Sequence, residues 1–144
     1  MNTVSSILAR KGGTAIAVSP DTTVVKALQI MATKNIGSVV VMDNGQYLGI
    51  MTERDYSRKV ILKGKNSTDT KVAEIMSMDL PSVTPDDSIE HCMELMTREN
   101  IRYVPVFDNN ELTGIISMSD VVKQTILSQK EMISHLQNYI PSNT

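Results

Sequence analysis

Residues 35–55 read Asn-Ile-Gly-Ser-Val-Val-Val-Met-Asp-Asn-Gly-Gln-Tyr-Leu-Gly-Ile-Met-Thr-Glu-Arg-Asp, and residues 100–120 read Asn-Ile-Arg-Tyr-Val-Pro-Val-Phe-Asp-Asn-Asn-Glu-Leu-Thr-Gly-Ile-Ile-Ser-Met-Ser-Asp. Both open on Asn-Ile, pass through an apolar run and an Asp-Asn turn, and close on Gly-Ile-x-Thr/Ser-x-x-Asp. The register is an offset of 65, and it extends upstream: Val18-x-Pro20-Asp21 matches Val83-x-Pro85-Asp86, and Met31 matches Met96. Between residues 18 and 55, 13 of 38 positions are identical to their counterparts without a gap, where chance gives about two or three. Further upstream Val4-x-x-Ile7-Leu8 echoes Val72-x-x-Ile75-Met76 at an offset of 68. The chain is therefore an internal duplication.

Each copy predicts the order helix, strand, helix, strand, strand, helix. Val24, Ala27, Leu28 and Met31 recur at helical spacing after Pro20, as do Ile89, Cys92, Met93 and Met96 in the second copy. Asp21 or Thr22, and Asp86 or Asp87, are the expected caps of these helices. Ser38–Met42 is a continuous apolar run, which suits a strand covered on both faces. Asp43-Asn-Gly-Gln46 is a hairpin turn, because Asn and Gly tolerate positive φ. Tyr47–Met51 returns, and Tyr103–Phe107 with Leu112–Ile116 repeats the pair. The fold class is α/β in the α+β sense: two pseudo-symmetric repeats packed through their sheets, since a unit of about 60 residues has little core of its own.

The expected division is repeat 1 over residues 1–65, repeat 2 over 66–128, and a C-terminal helical extension and tail over 129–144. The polar stretch Lys63–Thr70 reads as the linker. Past Ser128 the repeat pattern predicts no more helix, yet Ile133, Leu136 and Ile140 continue an apolar stripe. Such a stripe suits packing on another subunit or a partner.

Composition narrows the function. A net charge of −2 gives no overall attraction to nucleic acid or an anionic membrane. No apolar run approaches the ~20 residues of a spanning helix, and the first residues lack a signal-peptide pattern. A single cysteine excludes an internal disulfide and a thiol metal framework, so a cytoplasmic protein is expected. Catalytic candidates are thin. His91 falls on the polar side of its helix, His135 lies in the extension, and Cys92 occupies a buried helix position. There is no Walker loop and no Gly-x-Gly-x-x-Gly. The expectation is a non-enzyme without a metal site.

The ordered set Val-x-Pro-Asp, amphipathic helix, Asn-Ile-x-x-Val-x-Val-x-Asp and Gly-h-x-Thr/Ser-x-x-Asp, found twice, resembles the CBS domain, named after cystathionine β-synthase. The resemblance covers residues 4 to about 128. It implies a paired, pseudo-symmetric Bateman module whose clefts can take AMP, ADP, ATP, NAD(H) or S-adenosylmethionine. It also implies frequent homodimers and a regulatory role toward a protein partner. The carry-over falls on Thr52 with Asp55 and on Ser117 with Asp120. An ionised Asp can accept two hydrogen bonds from a ribose diol. A Thr or Ser hydroxyl at a helix start can donate to phosphate beside free N–H groups. The same spacing also fits a capping box that needs no ligand.

Arg54, Arg58 and Arg102 are the candidate phosphate partners, while Lys59, Lys63 and Lys65 read equally as a solvated helix face. Their counterparts Ser119, Lys123 and Gly37 differ, so the two clefts should differ in affinity or in preferred phosphate number. Ile16, Ser38, Tyr103 and Pro105 are the candidate walls for the adenosine. The alternative function is an interaction or dimerisation scaffold with vestigial clefts, acting through its C-terminal helix.

Overall fold

The computed structural model describes residues 2–12 and 15–139. Its elements run α1 (Val4–Lys11), β1 (Ala17–Val18), α2 (Val24–Lys34), β2 (Ser38–Asp43), β3 (Gln46–Thr52) and α3 (Glu53–Tyr56), which continues as a π-helical turn, Ser57–Ile61. The second copy runs α4 (Val72–Ile75), α5 (Ile89–Glu99), β4 (Tyr103–Asp108), β5 (Glu111–Ser117) and α6 (Met118–Tyr139). One difference from the expected order stands out. The strand predicted at Val83 shrinks to a single parallel bridge with Val106, whereas β1 pairs Ala17 with Val40 and Val18 with Val41.

Local chemistry sets the boundaries. The caps of α2 and α5 are Thr23 and Ser88, not Asp21 or Thr22 and Asp86 or Asp87 as expected. Each hydroxyl accepts from the N–H three residues on, Lys26 at 3.3 Å and His91 at 3.0 Å. Asp87 instead closes the preceding turn by accepting from the Thr84 N–H at 2.8 Å. Both helices end at an asparagine in the left-handed region, Asn35 at φ 55° and Asn100 at φ 53°. The hairpins turn through left-handed residues as predicted, Asn44-Gly45 and Asn109-Asn110. Val39, Val40 and Val41 are all buried, as a strand covered on both faces requires.

The polar linker is not a loose tether. The Thr70 and Ser67 carbonyls accept from the Val24 and Val25 N–H groups at 2.8 and 3.0 Å, satisfying donors at the start of α2. Asn2, the counterpart of Thr70 at offset 68, does the same for Ile89 on α5 at 3.0 Å.

The chain divides into two compact units that cut across the repeats: Thr14–Leu80, and Met1–Gly13 with Pro81–Thr144. The head helix of each repeat thus joins the sheet of the other. Val72 and Ile75 of α4 complete a core with Val24, Met31, Val39 and Met51. Val4 and Ile7 of α1 complete a second core with Ile89, Met96, Val104 and Ile116. Each such aliphatic side chain contributes about 1.5–3 kcal/mol when fully buried, so the exchanged helices are integral to both cores. Ile140 lies outside the described residues. Among those described, no helix is long and apolar enough to cross a membrane.

Candidate functional site

The two Gly-h-x-Thr/Ser-x-x-Asp stretches each carry a strand into a helix. Their glycines are required by close packing. A Cβ on Gly49 would lie 2.5 Å from the backbone oxygen of Ser77, and one on Gly114 2.7 Å from Cδ2 of Leu8. Ser77 follows α4 and Leu8 belongs to α1, so both glycines admit the exchanged head segment. At Gly49 the approach is a backbone pairing: Ile50 and Ser77 exchange N–H···O bonds of 3.0 and 2.8 Å.

In the Thr14–Leu80 unit, Thr52 caps α3 in a reciprocal box. The Asp55 N–H donates to Thr52 Oγ1 at 3.1 Å. The Thr52 N–H and hydroxyl donate to Asp55 Oδ2 at 2.9 and 3.1 Å. The other oxygen, Oδ1, accepts from Ser77 Oγ at 2.8 Å and pairs with Lys59 Nζ at 2.9 Å. The π turn carries Lys59 to this position, one turn beyond the carboxylate, and its ammonium also donates to the Ile75 carbonyl at 2.9 Å. Asp55 is 5% exposed, and this set of donors offsets its desolvation.

In the other unit the box repeats with different support. The Ser117 N–H donates to Asp120 Oδ2 at 2.9 Å, and the Asp120 N–H to Ser117 Oγ at 3.0 Å. The cation comes from α1: Lys11 Nζ lies 2.9 Å from Asp120 Oδ2 and 2.8 Å from the Ile115 carbonyl. Its neighbour Arg10 donates to the Asp120 carbonyl at 3.3 Å and to Gln124 Oε1 at 3.2 Å. Gln124 is the counterpart of Lys59. Burial pushes the Asp120 carboxyl up, but the Ser117 N–H and the Lys11 ammonium outweigh it and hold the group below its ordinary value.

The predicted site residues gather at one end of each sheet. Ser38 pairs with Thr52 across β2 and β3, and the Ile16 carbonyl accepts from the Val40 N–H at 2.9 Å. Asp55 and the half-buried Arg54 follow directly on α3, and the exposed Arg58 lies in the π turn. In the other unit Tyr103 pairs with Ser117, and the Arg102 carbonyl accepts from the Met118 N–H at 2.8 Å. The Arg102 side chain is exposed, and Pro105 is buried opposite Ile115 within the sheet. The sets lie in different compact units. Sequence reasoning missed Lys11, Arg10 and Ser77 and left Lys59 evenly between a phosphate partner and a solvated helix face. The Asp55–Lys59 spacing of four carries a readable signal. Lys11 and Asp120, 109 residues apart, carry none.

A shallow groove of about 180 Å³ near the start of α5 is lined by Asn2, Ile89, Met93, Thr125 and Met132 among others. None of the predicted site residues lines it. Cys92 is buried, and burial with the nearby Asp87 charge pushes its thiol up to about 11, leaving it protonated at neutral pH. His91 and His135 are exposed. Among the described residues no three His, Cys, Asp or Glu side chains are grouped to hold a metal ion.

Comparison with known proteins agrees with this geometry. The CBS domain profile matches residues 4–61 and 72–126. The mitochondrial CBS domain-containing protein CBSX3 of Arabidopsis thaliana is 36% identical, over 96% of this chain and 71% of its own length. The crystal structure of the CBS domain NE2398 is 42% identical and superposes with a TM-score of 0.82, over 86% of this chain and 97% of that one. The CBS domain pair of MJ0100, crystallised with 5′-methylthioadenosine and S-adenosyl-L-methionine, is 24% identical. It shares the fold at a TM-score of 0.76, over 90% of this chain and 98% of that one.

Proposed function

This chain belongs to the CBS-domain family, and from that premise we propose that it is a non-catalytic regulatory module that binds an adenosine nucleotide. The observation that carries the reading is the duplicated helix start. At each, a buried carboxylate and a hydroxyl cap sit together where a strand enters a helix, Thr52 with Asp55 and Ser117 with Asp120. Asp55 and Asp120 would accept from the ribose hydroxyls, with the Thr52 and Ser117 hydroxyls and Arg54, Arg58 and Arg102 toward the phosphates. Ile16 and Ser38 would flank the adenosine at the first site, and Tyr103 and Pro105 at the second. The fold is compatible with such ligands, since MJ0100 holds two adenosine compounds. One hydroxyl and a few cations per site suit a small phosphate count, so AMP or ADP is preferred to ATP, NAD(H) or S-adenosylmethionine. A reducing compartment, the cytoplasm first, suits a chain with one buried thiol.

A bound diol would have to compete with Lys59 and Ser77 at Asp55 and with Lys11 at Asp120. That competition is what would let a ligand act as a signal. A ligand that binds one arrangement tenfold better supplies about 1.4 kcal/mol of bias toward it, to be passed to a partner protein or a homodimer. The same engaged carboxylates favour a second reading, a scaffold whose sites are already satisfied by capping.

Thermal unfolding followed by circular dichroism, with AMP, ADP, ATP, NAD, NADH and S-adenosylmethionine in separate samples, separates the two. A ligand at 100 times its Kd stabilises the fold by about 2.7 kcal/mol and raises the midpoint by several degrees. A rise with an adenosine ligand supports the module reading. No rise with any of them supports the scaffold.

A further inference from the structure

The helix α6 runs on past the core of its unit. Val121 and Gln124 are buried near its start, but every described side chain from Gln129 to Asn138 is exposed. A solvated helical extension of that length is marginal in water, because no packed face repays the ordering of its residues. The exposed apolar residues are also ordered. Val122, Ile126, Ile133 and Leu136 are 48%, 45%, 56% and 53% exposed. With Gln129 they recur at spacings of four, three, four and three, and Ile140, outside the described residues, is next in sequence. Met132 widens the stripe and Leu127 lies off it. A period of 3.5 is the seam of a two-stranded left-handed coil, narrower than the face a helix presents to a globular core.

We propose that this seam is covered by the same seam of a second copy of the chain, in a parallel, in-register coiled coil centred on Gln129. Two features select that occupant. Gln129 is the one polar layer among the described seam residues, and in a parallel pair it meets its own copy, amide to amide, each satisfying the other. A wholly apolar partner helix would leave it unpaired. An antiparallel pair would set it against Ile126 or Ile133. The flanking charges agree. Lys123 and Lys130 lie in one row beside the seam, with Thr125 and Met132 in the other. A parallel pair sets Lys130 against Thr125 of the second copy, whereas an antiparallel pair sets the lysine row against itself. The inference does not depend on nucleotide binding.

The test uses the full chain in sedimentation equilibrium, with Ile133→Glu/Leu136→Glu beside the wild type. Both changes are at exposed positions, so an unaltered thermal midpoint at low concentration certifies the fold. The expected result is a wild-type dimer and a variant whose dissociation constant is weaker by about a hundredfold or more. Orientation is read by mild oxidation of Gln129→Cys and, on the outer face, Glu131→Cys; the native Cys92 is buried. Disulfide-linked dimers are expected from Gln129→Cys and not from Glu131→Cys. A wild-type monomer at all concentrations, or a dimer indifferent to the two glutamates, overturns the proposal. A dimer that Gln129→Cys fails to crosslink overturns its parallel register.

Discussion

The same seven-residue signature is wired locally in one half of the molecule and over long range in the other. Asp55 takes its cation from Lys59, four residues on in the same helical segment, and a hydroxyl from Ser77. Asp120 takes its cation from Lys11 on α1, with Arg10 bracing the carbonyl and Gln124 beside it. Burying a carboxylate demands charge compensation, but nothing demands that the compensating group come from the same place. Disturbing Asp55 should therefore act within α3 and the Ile50–Ser77 bridge, while disturbing Asp120 should loosen the tie to α1.

The glycines offer the sharpest break between the halves. Gly49→Ala drives a methyl into the Ser77 backbone, which cannot rotate away, and is expected to cost about 3 kcal/mol. Gly114→Ala meets only the end of the Leu8 side chain and is expected to cost about 1 kcal/mol. Urea unfolding of the two variants checks the ordering, and equal losses would mean that the head segments yield alike. Next, Lys11→Met and Lys59→Met should each cost about 1 kcal/mol, because both lysines are partly exposed. Hydrogen exchange distinguishes them: Lys11→Met should speed exchange in α1, and Lys59→Met only around the π turn.

The acid limb sharpens the same contrast. The folded Asp120 carboxyl lies below its ordinary value, and unfolded Asp titrates near ~3.9. Its contribution is fully present above the unfolded value and is lost as pH falls through the folded one. Lys11→Met should raise the Asp120 titration midpoint, followed by carboxyl NMR, and bring that loss to higher pH. The last expected effect is of similar size but symmetric. Asn35→Ala and Asn100→Ala should each cost about 1 kcal/mol, since both sit left-handed at equivalent helix ends. Unequal losses there would show that the halves differ in more than their wiring.

Much of this was legible in the residues. The 65-residue register announced paired hairpins and amphipathic helices, and Asn44-Gly45 and Asn109-Asn110 turn where the repeat puts them. The spacing of Thr52 to Asp55 and Ser117 to Asp120 announced the caps. Three things were hidden. The caps of α2 and α5 slipped to Thr23 and Ser88: before α5, Asp87 closes a turn onto the Thr84 N–H, and before α2 the Thr22 hydroxyl is engaged with that of Ser19. The strand at Val83 shrank to one bridge, a matter of pairing that apolar pattern does not fix. The exchange of α1 and α4 joins residues far apart in the chain, and with it came Lys11, Arg10 and Ser77, whose roles exist only in the assembled units.

The most direct test of the nucleotide reading is calorimetric titration of AMP into the wild type, Asp55→Asn, Asp120→Asn and the double variant, each first checked for folding. Asparagine keeps much of the cap while removing the charge and weakening the acceptor. The account predicts wild-type binding that each single change weakens by at least about tenfold at its own site and the double change abolishes. Binding of equal strength in all four proteins, with the fold intact, would contradict the placement of the ribose on these carboxylates.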